Sequence, residues 1–392
     1  MLFLIVFKYI ICFKRFSSMN NYKSVTVKLC IATAVGVMLT SCNGGSSSSG
    51  GNPSAITYQQ FSSYPGSGEG SLTTVTGIRG VDNSSNVYIS GIYTDTAGKQ
   101  HGMIYDGPVS SVGGSWNNLD YPSAPGATTA NTAFYGPNNG DVPGTISVVG
   151  NYTTTESGTQ AFGLLYQGPL DGVGGQWTTI NPQILAGSSP IIDTIVHSNM
   201  GGFAVGNYDT QLATGNAFIY DINNKSYYEI SKPRGTISIT AYGIWHNGGN
   251  SYTIAGGYSN ANAQGISNGY IVDWNSSTHV FSNWTTYNYK NQPLLSIISH
   301  FEGITTDGHG GYNLAADTGE ISSLKNGTGA AFVHVTRIGA AGPLGVAQWT
   351  DLNYPNSILM SANTVYQNNV LGVYLTSNSI STEHSYVATV QQ

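Results

Sequence analysis

The chain has 392 residues, 51 of them glycine and 26 tyrosine, and only 8% are charged, against about a quarter in ordinary globular proteins. A formal charge of −6 argues against the basic surface that nucleic-acid binding needs. An apolar content of 40% at so low a charge density excludes charge-driven disorder. What remains is a Gly-, Thr-, Tyr- and Asn-rich composition of the all-β, extracytoplasmic kind.

The first segment reads as an address. Lys8, Lys14, Arg15, Lys23 and Lys28 are the basic residues before position 42, and no Asp or Glu accompanies them. An apolar run of 11 residues, Leu29 to Leu39, follows. It falls short of the roughly 20 residues that span a bilayer and suits the core of a signal peptide. The run ends in Leu39-Thr40-Ser41-Cys42, which resembles the bacterial lipobox. The resemblance implies that Cys42 is diacylated and becomes the mature N-terminus. Asn43, where an Asp would retain a lipoprotein at the inner membrane, implies the outer membrane. The Gly/Ser-rich stretch 44–51 then serves as a flexible tether. The expected organisation is a signal peptide over 1–41, a lipidated Cys and tether over 42–54, and one folded domain over 55–392. Met19 is a second candidate start, with residues 1–18 as an upstream extension. Past residue 41 the chain holds one cysteine, Cys42, with 8 basic and 19 acidic residues. Neither a disulfide nor a Cys-ligated metal is expected, and membrane attachment rests on the lipid. No cofactor is called for, and a monomer is expected.

The remainder is repetitive. A strand-like small-x-Tyr motif recurs as Gly91-Ile92-Tyr93, Gly150-Asn151-Tyr152, Gly206-Asn207-Tyr208, Gly256-Gly257-Tyr258, a degenerate Ala315-Ala316-Asp317, and Gly372-Val373-Tyr374, at intervals of 50 to 59 residues. Each copy is preceded by one β-like run and followed by a second strand and an aromatic-bearing third, such as Trp116 to Pro122 or Trp349 to Pro355. Four strands in each of six units cannot bury both faces of a sheet alone. Stacked radially they can, which predicts a six-bladed β-propeller. The sixth unit lacks its last strand, whereas Ile56 to Pro65 resembles that strand at the other end of the domain. The N-terminal strand is therefore expected to complete the last blade and close the ring. The recurring Tyr and Trp residues are expected to pack between blades.

Gly-Asn-Tyr followed by Ala217 to Tyr220, or by Ala161 to Tyr166, resembles bacterial extracellular repeats of the HAF type. The resemblance implies propeller blades and almost nothing about activity. The Trp-Asp dipeptide of WD repeats, the Asp box of sialidases and the fixed offsets of kelch blades are absent from the sequence.

Six polar positions, one per first strand, are candidates for the central channel: Thr76, Asn131, Asp193, Tyr242, Glu302 and Asn363. Asp193 and Glu302 are candidate catalytic acids, with His300 as a further partner. Thr76, Arg79, Asn131, Tyr242 and Asn363 are candidate ligand contacts, Arg79 through a carboxylate or sulfate. His300, Asp307 and His309 form the densest cluster of metal-ligating residue types. No metal-motif spacing, nucleophile elbow or phosphate loop accompanies these residues. The expected function is a lipid-anchored, non-catalytic binding or scaffold module for a glycan, peptide or envelope protein. The alternative is a polysaccharide hydrolase or lyase with an acid pair near the channel.

Overall fold

In a computed structural model the described residues are 55–391, apart from 67–71, 124–127, 212–214, 262–266, 294–295, 321–328, 340–341 and 380–382. The signal-peptide, lipidation and tether expectations lie outside them. Ile56–Gln392 form one compact unit.

Strand β1 (Ile56–Gln60) opens the domain. Blade one is β2 (Leu72–Gly80), β3 (Val87–Thr94), β4 (Gln100–Gly107) and β5 (Ser115–Asn118). Blade two is β6 (Thr129–Asn139), β7 (Thr145–Thr154), β8 (Phe162–Pro169) and β9 (Gln176–Ile180), followed by the short helix α1 (Gln183–Ala186). Blade three is β10 (Ile191–Met200), β11 (Phe203–Thr210), β12 (Asn216–Asp221) and β13 (Ser226–Glu229). Blade four is β14 (Thr236–Gly248), β15 (Ser251–Asn260), β16 (Ser267–Asn275) and β17 (Val280–Tyr287). Blade five is β18 (Ser296–Thr306), β19 (Tyr312–Glu320), β20 (Gly329–Val335) and β21 (Gln348–Leu352). Blade six takes β22 (Leu359–Tyr366), β23 (Asn369–Leu375) and β24 (Glu383–Val390) from the end of the chain and β1 from its beginning.

Each of the six sheets is a four-stranded antiparallel meander, so the chain is an all-β six-bladed propeller. Closure is as the repeat count requires: β1 pairs with β24, Ile56 opposite Val390 and Gln60 opposite Tyr386. Tyr58 Oη accepts a hydrogen bond from Asn353 N of blade five at 2.7 Å, and the Tyr58 ring packs edge-on against Tyr354. Phe61, 2% exposed, inserts edge-on between Tyr105 and Trp116 of blade one. Residues 56–61 thus tie the last blade to both of its neighbours.

The core is not one mass. It consists of six apolar clusters, each straddling the seam between two adjacent blades. This is the physical content of the repeat: a blade's two apolar faces find cover only on its neighbours. The recurrent aromatics sit in these seams. Tyr64 stacks on Tyr93 at 4.3 Å, Tyr121 on Tyr152 at 3.7 Å and Tyr354 on Tyr374 at 3.9 Å, each pair crossing a blade boundary. Among the described residues no helix is long and apolar enough to cross a membrane.

Candidate functional site

All six innermost strands share one irregularity. The ladder to the second strand slips by one residue between Val75 and Gly77, Phe134 and Gly136, Val196 and Ser198, Ala241 and Gly243, Phe301 and Gly303, and Ala362 and Thr364. Each slip is a β-bulge, which inserts one extra residue and re-aims its side chain. The extra residues are Thr76, Tyr135, His197, Tyr242, Glu302 and Asn363. Residues of all six blades at this level enclose the central cavity.

The small residue after each bulge explains why the channel is tight. A Cβ on Gly77 would stand 1.6 Å from the Tyr135 carbonyl oxygen, and one on Gly136 2.6 Å from the His197 carbonyl oxygen. A Cβ on Gly243 would meet Ile304, and one on Gly303 would meet Thr364. Each glycine lets one innermost strand lean on the next blade's innermost strand. Pro137 sits in β6 two residues past the bulge, as an edge strand permits.

The bulge side chains link blade to blade. Asn363 Nδ2 donates to Val75 O at 2.7 Å, and Thr76 Oγ1 donates to Phe134 O at 2.5 Å. The Tyr135 ring meets His197 edge-on at 5.3 Å, and His197 meets Tyr242 edge-on at 4.6 Å. His197 Nε2 donates to Asn207 Oδ1 at 2.8 Å. Tyr242 lies 6.1 Å from His300, whose Nδ1 is 3.9 Å from Glu302 Oε1. Thr76, Tyr135, His197, Tyr242 and Asn363 are partly accessible, whereas Glu302 is 6% exposed. Glu302 is the one carboxylate among the described residues lining the cavity.

Four of the six channel positions expected from the sequence are therefore at bulges: Thr76, Tyr242, Glu302 and Asn363. Asn131 and Asp193 are not, and the correction is a four-residue one. They sit beside a second irregularity nearer the strand starts, between Thr129 and Asn131 and between Ile191 and Asp193. There they tie the backbone: Asn131 Oδ1 accepts from Gln100 N at 2.9 Å, and Asp193 Oδ1 accepts from Ala161 N at 2.8 Å. Tyr135 and His197 hold the channel places in blades two and three. Asp193 is absent from the cavity lining, so the structure does not place it with Glu302 as an acid pair. A usable signal was present: an apolar residue, any residue, then a small one, as in Val75-Thr76-Gly77, Phe134-Tyr135-Gly136 and Val196-His197-Ser198.

The proposed metal cluster is also not assembled. Among the described residues no three His, Cys, Asp or Glu side chains stand close enough to hold a metal ion. His300 lies in mid-strand, against Ser267 Oγ of blade four. Asp307 shapes the β18–β19 hairpin, where its Oδ1 accepts from His309 N at 2.7 Å and Gly311 N at 2.8 Å. The Asp at the degenerate motif, Asp317, accepts from Ala362 N of blade six at 2.8 Å. It clamps a seam where the other blades use a Tyr.

Arg79 lies three residues beyond the bulge, at the hairpin end of β2, and is 7% exposed. It also lines the cavity. Its guanidinium reaches across the channel to stand 5.1 Å from the ring centre of Trp245, in the opposite blade. Burial lowers its pKa to about 10, so it remains a cation at neutral pH. The centre of a water-sized particle has about 20 Å³ to explore in the cavity. That is room for one or two waters or a small ion.

The sequence matches no family profile and no curated protein. Among solved structures, a protein of unknown function from Dyadobacter fermentans superposes with a TM-score of 0.50 at 10% identity, over 86% of this chain and 99% of that one. An exo-beta-1,3-galactanase from Phanerochaete chrysosporium aligns with a TM-score of 0.39 at 12% identity, over 65% of this chain and 61% of that one. The β-propeller domain of the Trilobed protease from Pyrococcus furiosus aligns with a TM-score of 0.35 at 10% identity, over 81% and 82%. The first likeness is one of fold. The other two are too distant to carry a conclusion about this chain, which spans less than two thirds of the galactanase.

Proposed function

We propose that the chain is an outer-membrane lipoprotein, anchored at Cys42, whose propeller is a non-catalytic binding module for an uncharged polar ligand, a glycan first. The observation that carries this reading is the channel wall. Tyr135, His197 and Tyr242, consecutive around the ring, are partly accessible, while the one lining carboxylate is buried. Aromatic rings flanked by Thr and Asn suit the apolar faces and hydroxyls of a sugar. A glycosidase needs two carboxyl groups about 5 to 10 Å apart, and the lining supplies one. Peptide or envelope-protein ligands are further candidates for the same channel mouth.

A second reading, a hydrolase or lyase, retains one observation: Glu302 within 3.9 Å of His300. An array of glycans probed with the wild-type domain and with Glu302→Gln separates the two. The binding module predicts capture of the same glycans by both proteins, without product. Product release by the wild type that stops in Glu302→Gln overturns it in favour of the enzyme.

A further inference from the structure

We propose that the hairpin end of the channel is a binding site for a small monovalent anion, a halide or a formate-sized carboxylate, held by the Arg79 guanidinium. The inference stands apart from the glycan reading, which concerns the other residues of the wall.

The argument begins with an imbalance. Arg79 is 7% exposed, and an isolated buried cation costs several kcal/mol unless it is paired or hydrogen-bonded. Among the described residues no carboxylate pairs with it, and its Nε is buried with no acceptor. The contrast with Arg337 is direct. Arg337 NH1 and NH2 donate to the two Asp273 oxygens at 2.7 and 2.9 Å, with the Tyr312 hydroxyl and Gly342 O completing its contacts. Arg79 has the Trp245 ring face instead, and a cation–π contact offsets only part of the lost hydration.

One carboxylate among the described residues also lines the cavity, Glu302, and its Oε1 faces His300 Nδ1 at 3.9 Å. Arg79 borders the free volume at the channel centre, which has room for one or two waters or a small ion. A planar fork of donors over a small void matches a halide or the two oxygens of a carboxylate. A sulfate or larger ion exceeds the space.

The test uses the full mature chain at constant ionic strength, with gluconate replaced stepwise by chloride, bromide or formate, and thermal unfolding as readout. The wild type is expected to gain about 2–6 °C in Tm as the small anion rises from millimolar to molar, whereas any gain from sulfate, which acts by exclusion from the surface, should be the same in Arg79→Met. Arg79→Met should lose the response. It should also unfold in gluconate at or above the wild-type Tm, because it removes an unpaired buried charge. Crystals grown in bromide should show an anomalous peak beside the guanidinium. A wild-type Tm indifferent to chloride, bromide and formate alike, a response retained by Arg79→Met, or bromide bound elsewhere overturns the proposal.

Discussion

At the scale of single residues, charge is scarce and each buried ionisable group has a definite place. Glu383 lies at the seam between blades six and one, where it accepts a hydrogen bond from Thr74 Oγ1 at 2.6 Å. Burial raises its pKa above the ordinary 4.5, and the Thr74 bond offsets part of the rise. A carboxyl whose folded pKa is raised binds its proton more tightly in the native state. Its contribution to stability is full below the unfolded pKa and is lost as pH climbs through the folded value. Glu383→Gln should therefore be more stable than the wild type at pH 7 and indistinguishable from it near pH 4. Urea denaturation at the two pH values checks this, and a variant less stable at pH 7 refutes it. Asp273 and Arg337 illustrate the opposite balance. Their bidentate pair joins blade four to the β20–β21 connection of blade five, so Asp273→Asn should destabilise by roughly 3 kcal/mol by leaving a buried guanidinium half-paired.

At the scale of elements, the innermost strand is defined by its bulge and, in four of the six blades, by the glycine after it. Gly77→Ala would place a methyl group 1.6 Å from the Tyr135 carbonyl, so blade one must draw back from blade two. A loss of about 1–3 kcal/mol is expected, read as a lower urea midpoint with an unchanged slope. A substitution without effect would mean that the seam is not backbone-tight. The same element shows what the sequence discloses. Strands, blades and the borrowed β1 are legible because each repeats a local pattern some 56 residues apart. The bulge is less so, because what fixes it is the neighbouring blade's backbone, not the strand's own alternation. Asn131 and Asp193 were plausible channel residues by polarity. Their polarity instead serves Gln100 N and Ala161 N of the preceding blades. Tyr135 and His197 escaped notice because an aromatic ring or imidazole after an apolar residue does not stand out as a polar channel position.

At the scale of the whole molecule, closure follows from needing cover on both faces of every blade. Six seams hold six apolar clusters, and one is completed by Phe61 from the N-terminal strand. The ring positions six re-aimed side chains around a narrow axis, leaving the aromatic side accessible and Glu302 buried. The central claim is that this wall recognises a ligand and does not transform it. The most direct measurement is the affinity of one array-captured glycan for the wild type and for Tyr242→Ala, by calorimetry. One lost aromatic stack, about 1–1.5 kcal/mol, predicts binding weakened about tenfold with an unchanged unfolding transition. Equal affinity in the two proteins would contradict the account, because the ligand would then sit away from the channel wall.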